Sequence, residues 1–361
     1  MHATGPSIVI IGAGIIGASA AYALQKAGAR VIIVDAGGET ATAASFGWIN
    51  ASFHHDAAHF RLREEGLAAW QRLGASVALP IAWQGTLCWE ETGVAFTAQY
   101  ERLSALGYAV REIDQAAFAA LEPHIAEPPA RALHFVGEAS VDSMAATHAL
   151  LDAATAAGAQ RLRGLRVEEI IETGGRFTGI RTQAGITLAD HVLIAAGTGS
   201  AALMAQLGSP MPMLRRPALV LRTRPVPPVL NHILVSQFGE LRQLQDGTLL
   251  MPASVDHQGN SSETVTDSLE DTADQVLMRL RSMLPDVMLD WQELTLAFRP
   301  VPQDELPVIG AVGEGLHVAC MHSGITLGAL AGELIAQEML EGVSNRSGAL
   351  LAPYRPGRFE K

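Results

Sequence analysis

Residues 7–35 read SIVIIGAGIIGASAAYALQKAGARVIIVD, and the rest of the chain is understood from them. Ser7 to Ile11 is a β-branched apolar run, the composition of a parallel strand buried on both faces. It leads into Gly12-x-Gly14-x-x-Gly17. In this spacing Gly12 permits a tight turn, Gly14 admits a pyrophosphate close to the backbone, and Gly17 lets the next helix pack on the strand. The helix predicted over 15–27 directs its N-terminal amides and positive dipole end at that phosphate, and Ile15 and Ile16 are its first residues. Gly28 is placed to end the helix, and Val31 to Val34 supplies a second strand. Asp35 closes the unit about 20 residues beyond the glycines, where a carboxylate accepts hydrogen bonds from a ribose. Strand, glycines, helix, second strand and terminal acid are all present, which separates this stretch from an ordinary glycine-rich turn.

The bulk composition narrows what surrounds this unit. A chain of 361 residues exceeds one ordinary core, so two interleaved or sequential domains are expected. With 48% hydrophobic and 17% charged residues it can bury a large interior. Its formal charge of −12 argues against nucleic acid or an anionic membrane surface as partner. The two cysteines, Cys88 and Cys320, lie far apart in sequence without a Cys/His cluster, so neither a disulfide framework nor a metal site is expected. The N-terminal apolar run is broken by glycines, which neither a spanning helix nor a signal peptide would show. No integral membrane segment and a cytoplasmic, reducing location are the expectation.

After Asp35 a small, polar, glycine-bearing loop runs from Ala36 through Ser45, Phe46, Gly47 and Trp48 to Ser52, suited to lie along an extended ligand. A helix is predicted over 59–73, with Phe60, Leu67, Trp70 and Leu73 on its apolar face and Arg61, Arg63, Glu64 and Arg72 elsewhere, and with Asp56 near its cap. A strand is predicted over 82–89 and a helix over 97–107. A second helix is capped by Asp142 or Ser143 and stops at Gly158. A three-stranded meander turns at Gly174-Gly175. The strand HVLIAA (191–196) ends in a second glycine-rich junction, Gly197-Thr198-Gly199. From Met211 to Trp291 prolines accumulate, and strands are predicted at 218–222 and 249–252 with a helix over 269–284. A strand over 293–299, a buried strand over 316–320 and a final helix with Thr326 as its N-cap follow, and the tail beyond Ser347 reads as loosely structured.

Four blocks, Gly12 to Asp35, Val141 to Gly158, Ala189 to Gly199 and Phe298 to Gly332, carry a resemblance to a known family. The chain resembles the FAD-dependent amine and amino-acid oxidoreductases, the group of D-amino-acid oxidase, glycine oxidase, sarcosine oxidase and D-amino-acid dehydrogenase. The resemblance implies an α/β fold in which a Rossmann-type FAD-binding domain is assembled from residues 1–81, 135–212 and 293–361. Residues 82–134 and 213–292 then form an inserted, mostly antiparallel β-rich substrate domain that also carries helices. It implies non-covalent FAD, because the flavin-linking cysteine segment of sarcosine oxidase has no counterpart. The cofactor contacts implied are Gly12, Gly14, Ile15, Ile16, Gly17, Asp35 (where the family more often carries glutamate) and Ala36. To these it adds Ser45, Gly47, Trp48, Val167, Ala196, Gly197, Gly324, Ile325 and Thr326. Arg299 falls where D-amino-acid and glycine oxidases bind the substrate carboxylate beside the flavin, and His322 falls in the loop over the flavin pyrimidine edge.

The reaction implied is oxidation of the C–N bond of an amino acid or secondary amine by hydride transfer to flavin N5, giving an imine that hydrolyses. Oxygen, a quinone or another electron carrier would reoxidise the flavin. Two alternatives stay open: a flavoprotein subunit of a larger electron-transfer complex, and an RNA-modifying flavoenzyme, which the −12 charge disfavours. A nicotinamide dehydrogenase fits the first motif alone, but the C-terminal block argues for FAD. An oligomer or partner subunit is compatible with all of these.

Overall fold

The computed structural model describes residues 5–255 and 264–360. Strand β1 (Ser7–Ile11) runs into helix α1 (Ile15–Lys26) and then strand β2 (Arg30–Asp35), the unit expected from the sequence. β1 pairs in parallel with β2 on one side and with His191–Ile194 on the other. The full order is Val308–Gly313, Leu316–Cys320, His191–Ile194, β1, β2, Gln160–Arg163, and only the first of these runs antiparallel to its neighbour. The unbroken apolar runs of this sheet follow from helices on one face and a β-meander on the other. α1 packs against the helices Ser143–Ala156 and Gly324–Glu341. The approach of α1 to the latter is so close that a Cβ on Gly332 would lie 2.7 Å from the Ser19 carbonyl. The meander Val167–Thr173, Arg176–Thr182, Gly185–Leu188 closes the opposite side with Ile170 and Ile180 buried.

The second body is an eight-stranded sheet. Its order is Trp291–Pro302, Met213–Thr223, Leu249–Pro252, Gly239–Gln243, Ile233–Ser236, Thr86–Cys88, Arg131–Phe135, Val110–Asp114. Pairing is antiparallel throughout, except where Ile233–Ser236 runs parallel to Thr86–Cys88. Helix Leu269–Met283 covers one face through Ala273, Val276, Leu277 and Leu280. A small sheet of β3 (Trp48–Ile49), Ala139–Val141 and Ile81–Ala82 bridges toward the first body.

Several local expectations are corrected. The 82–89 stretch is two strands in different sheets, parted at Gly85 with φ of 75°. The region 213–252 holds four strands rather than two. The strand expected over 293–299 extends from Trp291 to Pro302 and pairs along Met213–Thr223, so residues 293–302 join the eight-stranded sheet. Pro300 and Pro302 are tolerated because this strand is the sheet edge, where a missing N–H breaks no ladder. The tail is ordered: helix Asn345–Leu351 starts with a Ser344 capping box, Tyr354 is buried, and Arg355 makes two 2.7 Å hydrogen bonds to the Glu338 carboxylate. Helix α2 (Ala57–Ser76) is capped by Asp56 as expected, yet Arg63 lies inside the protein rather than on its polar face.

Candidate active site

The sheet ends and helix starts of the first body converge. The Ala195 amide donates to the Ile11 carbonyl at 2.9 Å, and Gly12, at φ of 106°, lies against the Ala195 carbonyl, so Ala196 and Gly197 stand beside the first glycine. The α1 N-terminus at Gly14 has no side-chain cap of its own; one contact there is the Ile15 amide donating to Thr42 Oγ1 at 3.2 Å. A Cβ on Gly14 would meet only that same hydroxyl, at 3.1 Å. A Cβ built on Gly324, which opens its helix, would lie 3.8 Å from Ile16 and 3.9 Å from Ile15, so two positive helix ends face the same region. Asp35 ends β2 with its carboxylate accepting from the Gly37 amide at 3.0 Å, and Ala36 beside it is exposed.

From this junction a cavity of about 400 Å³ opens toward the eight-stranded sheet. One wall is the 41–50 loop, with Ser45, Gly47 and Trp48; the other is formed by Pro217–Val220, Glu240, Arg299 and Pro300. Its floor is Arg63 with His322, Ser323, Ile325 and Thr326. The cavity thus brings Arg299 and His322 together with Ser45, Gly47, Trp48, Ile325 and Thr326. Val167 does not line the cavity; it begins the outer meander and packs on the core that includes Ile11 and Val34, and the Leu165 amide two residues before it donates to the Asp35 carbonyl at 3.0 Å. Thr326 is not the helix cap either; Ser323 takes that position. Thr326 instead sits in the first turn, accepts from the Asn50 amide at 3.3 Å and donates to the Trp48 carbonyl at 3.2 Å, tying the helix to β3.

Arg299 is half-buried, and burial, followed by Arg216 nearby, lowers its hold on a proton while Glu240 and Glu305 oppose that. Asp304, close to Arg299 in sequence, is engaged by Arg358 at 2.7 Å. Cys320 is buried below the site with its thiol pushed up to about 12, mainly by burial, which suits a packing residue.

Three buried groups escaped the sequence reading. Arg63, 2% exposed, donates to the Asn50 carbonyl at 3.0 Å, to Asn50 Oδ1 and to Ser323 Oγ at 2.6 Å. Arg242 reaches from the Gly239–Gln243 strand to the carbonyls of Phe46 and Val141 and pins the loop that bears Gly47. Glu138, fully buried, accepts from the Trp48 indole at 2.9 Å, the Tyr108 hydroxyl at 2.7 Å and the Ser52 amide at 3.3 Å. Isolated polar residues at helix, strand and turn positions give no sequence cue that they point inward.

The residues fit a bound dinucleotide. A helix start without its own side-chain cap, a glycine whose missing Cβ leaves the approach open, and a second helix end lead into a cavity large enough for a planar ring. Fold and glycine turn together are those of a dinucleotide-binding protein, with the eight-stranded sheet facing the cavity. The DAO family, described as FAD dependent oxidoreductase, matches residues 7–338, and the chain belongs to it. Its cofactor is FAD. The chain is similar to the bifunctional protein ThiO/ThiG of Trichormus variabilis, 27% identical over 69% of this chain, and spans 38% of that relative's length. It is 26% identical to hydrogen cyanide synthase subunit HcnC of Pseudomonas aeruginosa, over 98% of this chain and 96% of the relative. Against glycine oxidase of Geobacillus kaustophilus it is 25% identical over 91% of each chain. The solved structure of a glycine oxidase from Geobacillus kaustophilus superposes with a TM-score of 0.85 at 24% identity, covering 99% and 100% of the two chains. Among the described residues no helix is long and apolar enough to cross a membrane, and no cluster of metal-ligating side chains occurs.

Proposed function

We propose that this protein oxidises the C–N bond of an amino acid or secondary amine to an imine that water then hydrolyses. The observation that carries the reading is Arg299 on the wall of the cavity whose floor is the His322–Thr326 helix start. When bound, FAD supplies the hydride acceptor at N5. Gly12, Gly14, Ile15 and Gly17 would receive its phosphates and Asp35 its ribose, while Ser45, Gly47, Trp48, Ile325 and Thr326 would enclose the ring. Arg299 presents a planar fork that can hold a carboxylate through two parallel hydrogen bonds, which places the substrate Cα over the ring. Glu240 gives the same cavity a negative group to favour an ammonium on arrival. The dipole end of the Gly324 helix gives the floor a positive potential, and His322 lines the same floor. The glycine oxidase relative supports an amino-acid substrate of this kind.

The test is anaerobic bleaching of the visible flavin band against a panel of D-, L- and N-methyl amino acids. Bleaching by at least one class is expected, and an unbleached flavin across the whole panel overturns the substrate class. A second reading, a subunit of a larger dehydrogenase complex, has the HcnC relative behind it. Co-expression with chromosomal neighbours followed by size-exclusion chromatography separates the two, since only a subunit co-elutes with a partner.

A further inference from the structure

Arg63 poses an energetic question that its hydrogen bonds do not answer. Its guanidinium is buried, and its acceptors (the Asn50 carbonyl, Asn50 Oδ1 and Ser323 Oγ) are all neutral. Among the described residues it has no carboxylate at ion-pair distance; Glu138 acts on it only through its longer-range field, together with Tyr108. A buried cation without a paired anion is costly, and a neutral side chain could tie Asn50 to Ser323 as well. The charge itself must therefore meet something. Arg63 lines the cavity floor where Ser323 stands at the N-cap position of the Gly324 helix, so a full positive charge and a positive helix end meet the same pocket. Burial of both strengthens their field at short range.

We propose that Arg63 is the fixed countercharge for the reduced flavin, a residue that sets the reduction potential of FAD rather than one that contacts substrate. This rests on the reading of the cavity as the flavin-ring site. Hydride transfer brings two electrons and one proton, so the ring gains one negative charge, and a cation held in a dry floor favours that product. Asn50 and Ser323 hold the guanidinium still, so little reorganisation accompanies the change in charge.

The experiment is a potentiometric titration of the holoenzyme with dithionite and a reference dye, which needs no substrate. Arg63→Met should weaken the preference for reduced flavin at least tenfold, a fall of about 30 mV for a two-electron couple. Arg63→Lys, which keeps the charge, should recover most of it. Because Arg63→Met removes buried hydrogen bonds and can fail to fold, Asn50→Asp is the companion variant. It is nearly isosteric, keeps Arg63, and gives the guanidinium an anion of its own, so the potential should fall by a similar amount. An unchanged potential in Asn50→Asp overturns the proposal, as does a fall in Arg63→Lys equal to that in Arg63→Met, which would mark a tether. Trp48→Phe locates the ring independently: an unmoved flavin absorbance band refutes its placement in the cavity. A moved band with unmoved potentials refutes the charge role alone.

Discussion

The Trp48 indole nitrogen donates to Glu138 Oε2 at 2.9 Å, while Glu138 Oε1 takes the Tyr108 hydroxyl at 2.7 Å and the Ser52 amide at 3.3 Å. One buried carboxyl thus holds the chain at Trp48 and Ser52, on either side of Ile49 at the end of the loop that walls the cavity. Burial raises its proton affinity, and the donors around it oppose that rise. A carboxylate can accept from all three donors, whereas an amide offers one accepting oxygen. Glu138→Gln should therefore leave the indole N–H facing an amide N–H₂ and cost about 1–3 kcal/mol, read as a lower urea midpoint. In a Trp48→Phe background, which removes the indole donor, the same substitution should cost less. Strict additivity of the two changes would show that the pair is not coupled.

The glycines of the first turn have separable duties. Gly12 needs its positive φ and lies against the Ala195 carbonyl, and a Cβ on Gly17 would enter the Gly12 carbonyl. Gly14 has φ of −72°, open to any residue, and its Cβ would meet only Thr42 Oγ1. Gly14→Val should thus give a folded protein that has lost FAD, with unchanged far-ultraviolet circular dichroism and no yellow colour. Gly17→Val should fail to fold. The wild type should release intact FAD on denaturation, and flavin retained on the precipitate would count against non-covalent binding.

How far the sequence reached is best seen from contrasts between particular residues. β1, α1 and β2 were legible because each carries a local signature: a β-branched run, spaced glycines, and a second run ending in an acid. The Asp142 cap and the Gly174-Gly175 turn were legible for the same reason. The strand Gly239–Gln243 was not, because its inward residues include Arg242, whose charge mimics a solvent face. Arg63 was hidden likewise, reading as the polar side of an amphipathic helix until partners some 260 residues away in sequence are known. Pro300 and Pro302 masked the length of their strand, since only the sheet order reveals that it lies at an edge. Local chemistry writes local structure; what tertiary packing decides, as at Thr326 and the ordered tail, leaves little trace in any short window.

Two buried histidines set an acid limit on stability. Burial, reinforced by Arg63, lowers His59 to about 3, and burial, reinforced by His191, lowers His317 to about 4. Both are neutral in the fold and free to bind a proton when unfolded, near the usual value of 6.5. The unfolded chain therefore takes up more protons as pH falls below about 6.5, and stability decreases on acidification. Each contributes a slope of up to about 1.4 kcal/mol per pH unit between its two values. His59→Gln and His317→Gln should each flatten the pH dependence of the urea midpoint between pH 6.5 and 4.5. Wild-type slopes in both variants would remove this account.

Arg299 carries the most consequential expectation. It stands on the edge strand Trp291–Pro302, paired opposite Arg216, with Pro300 following it, and it lines the cavity across from Trp48. Arg216 acts against the charge on Arg299, while Glu240 and Glu305 offset that effect. A substrate carboxylate held by the Arg299 fork is bound and oriented at once, so removing the fork should affect both steps. Arg299→Ala is expected to raise KM and lower kcat on whichever amino acid bleaches the flavin, for a combined loss in kcat/KM of about 100-fold or more, roughly 3 kcal/mol. Arg299→Lys should recover little, because a point charge restores attraction without the two parallel bonds. FAD content measured alongside separates this from a structural effect: a variant with full FAD and wild-type kcat/KM would place the carboxylate site elsewhere. Arg216, across the ladder from Arg299, would then be the next residue to substitute.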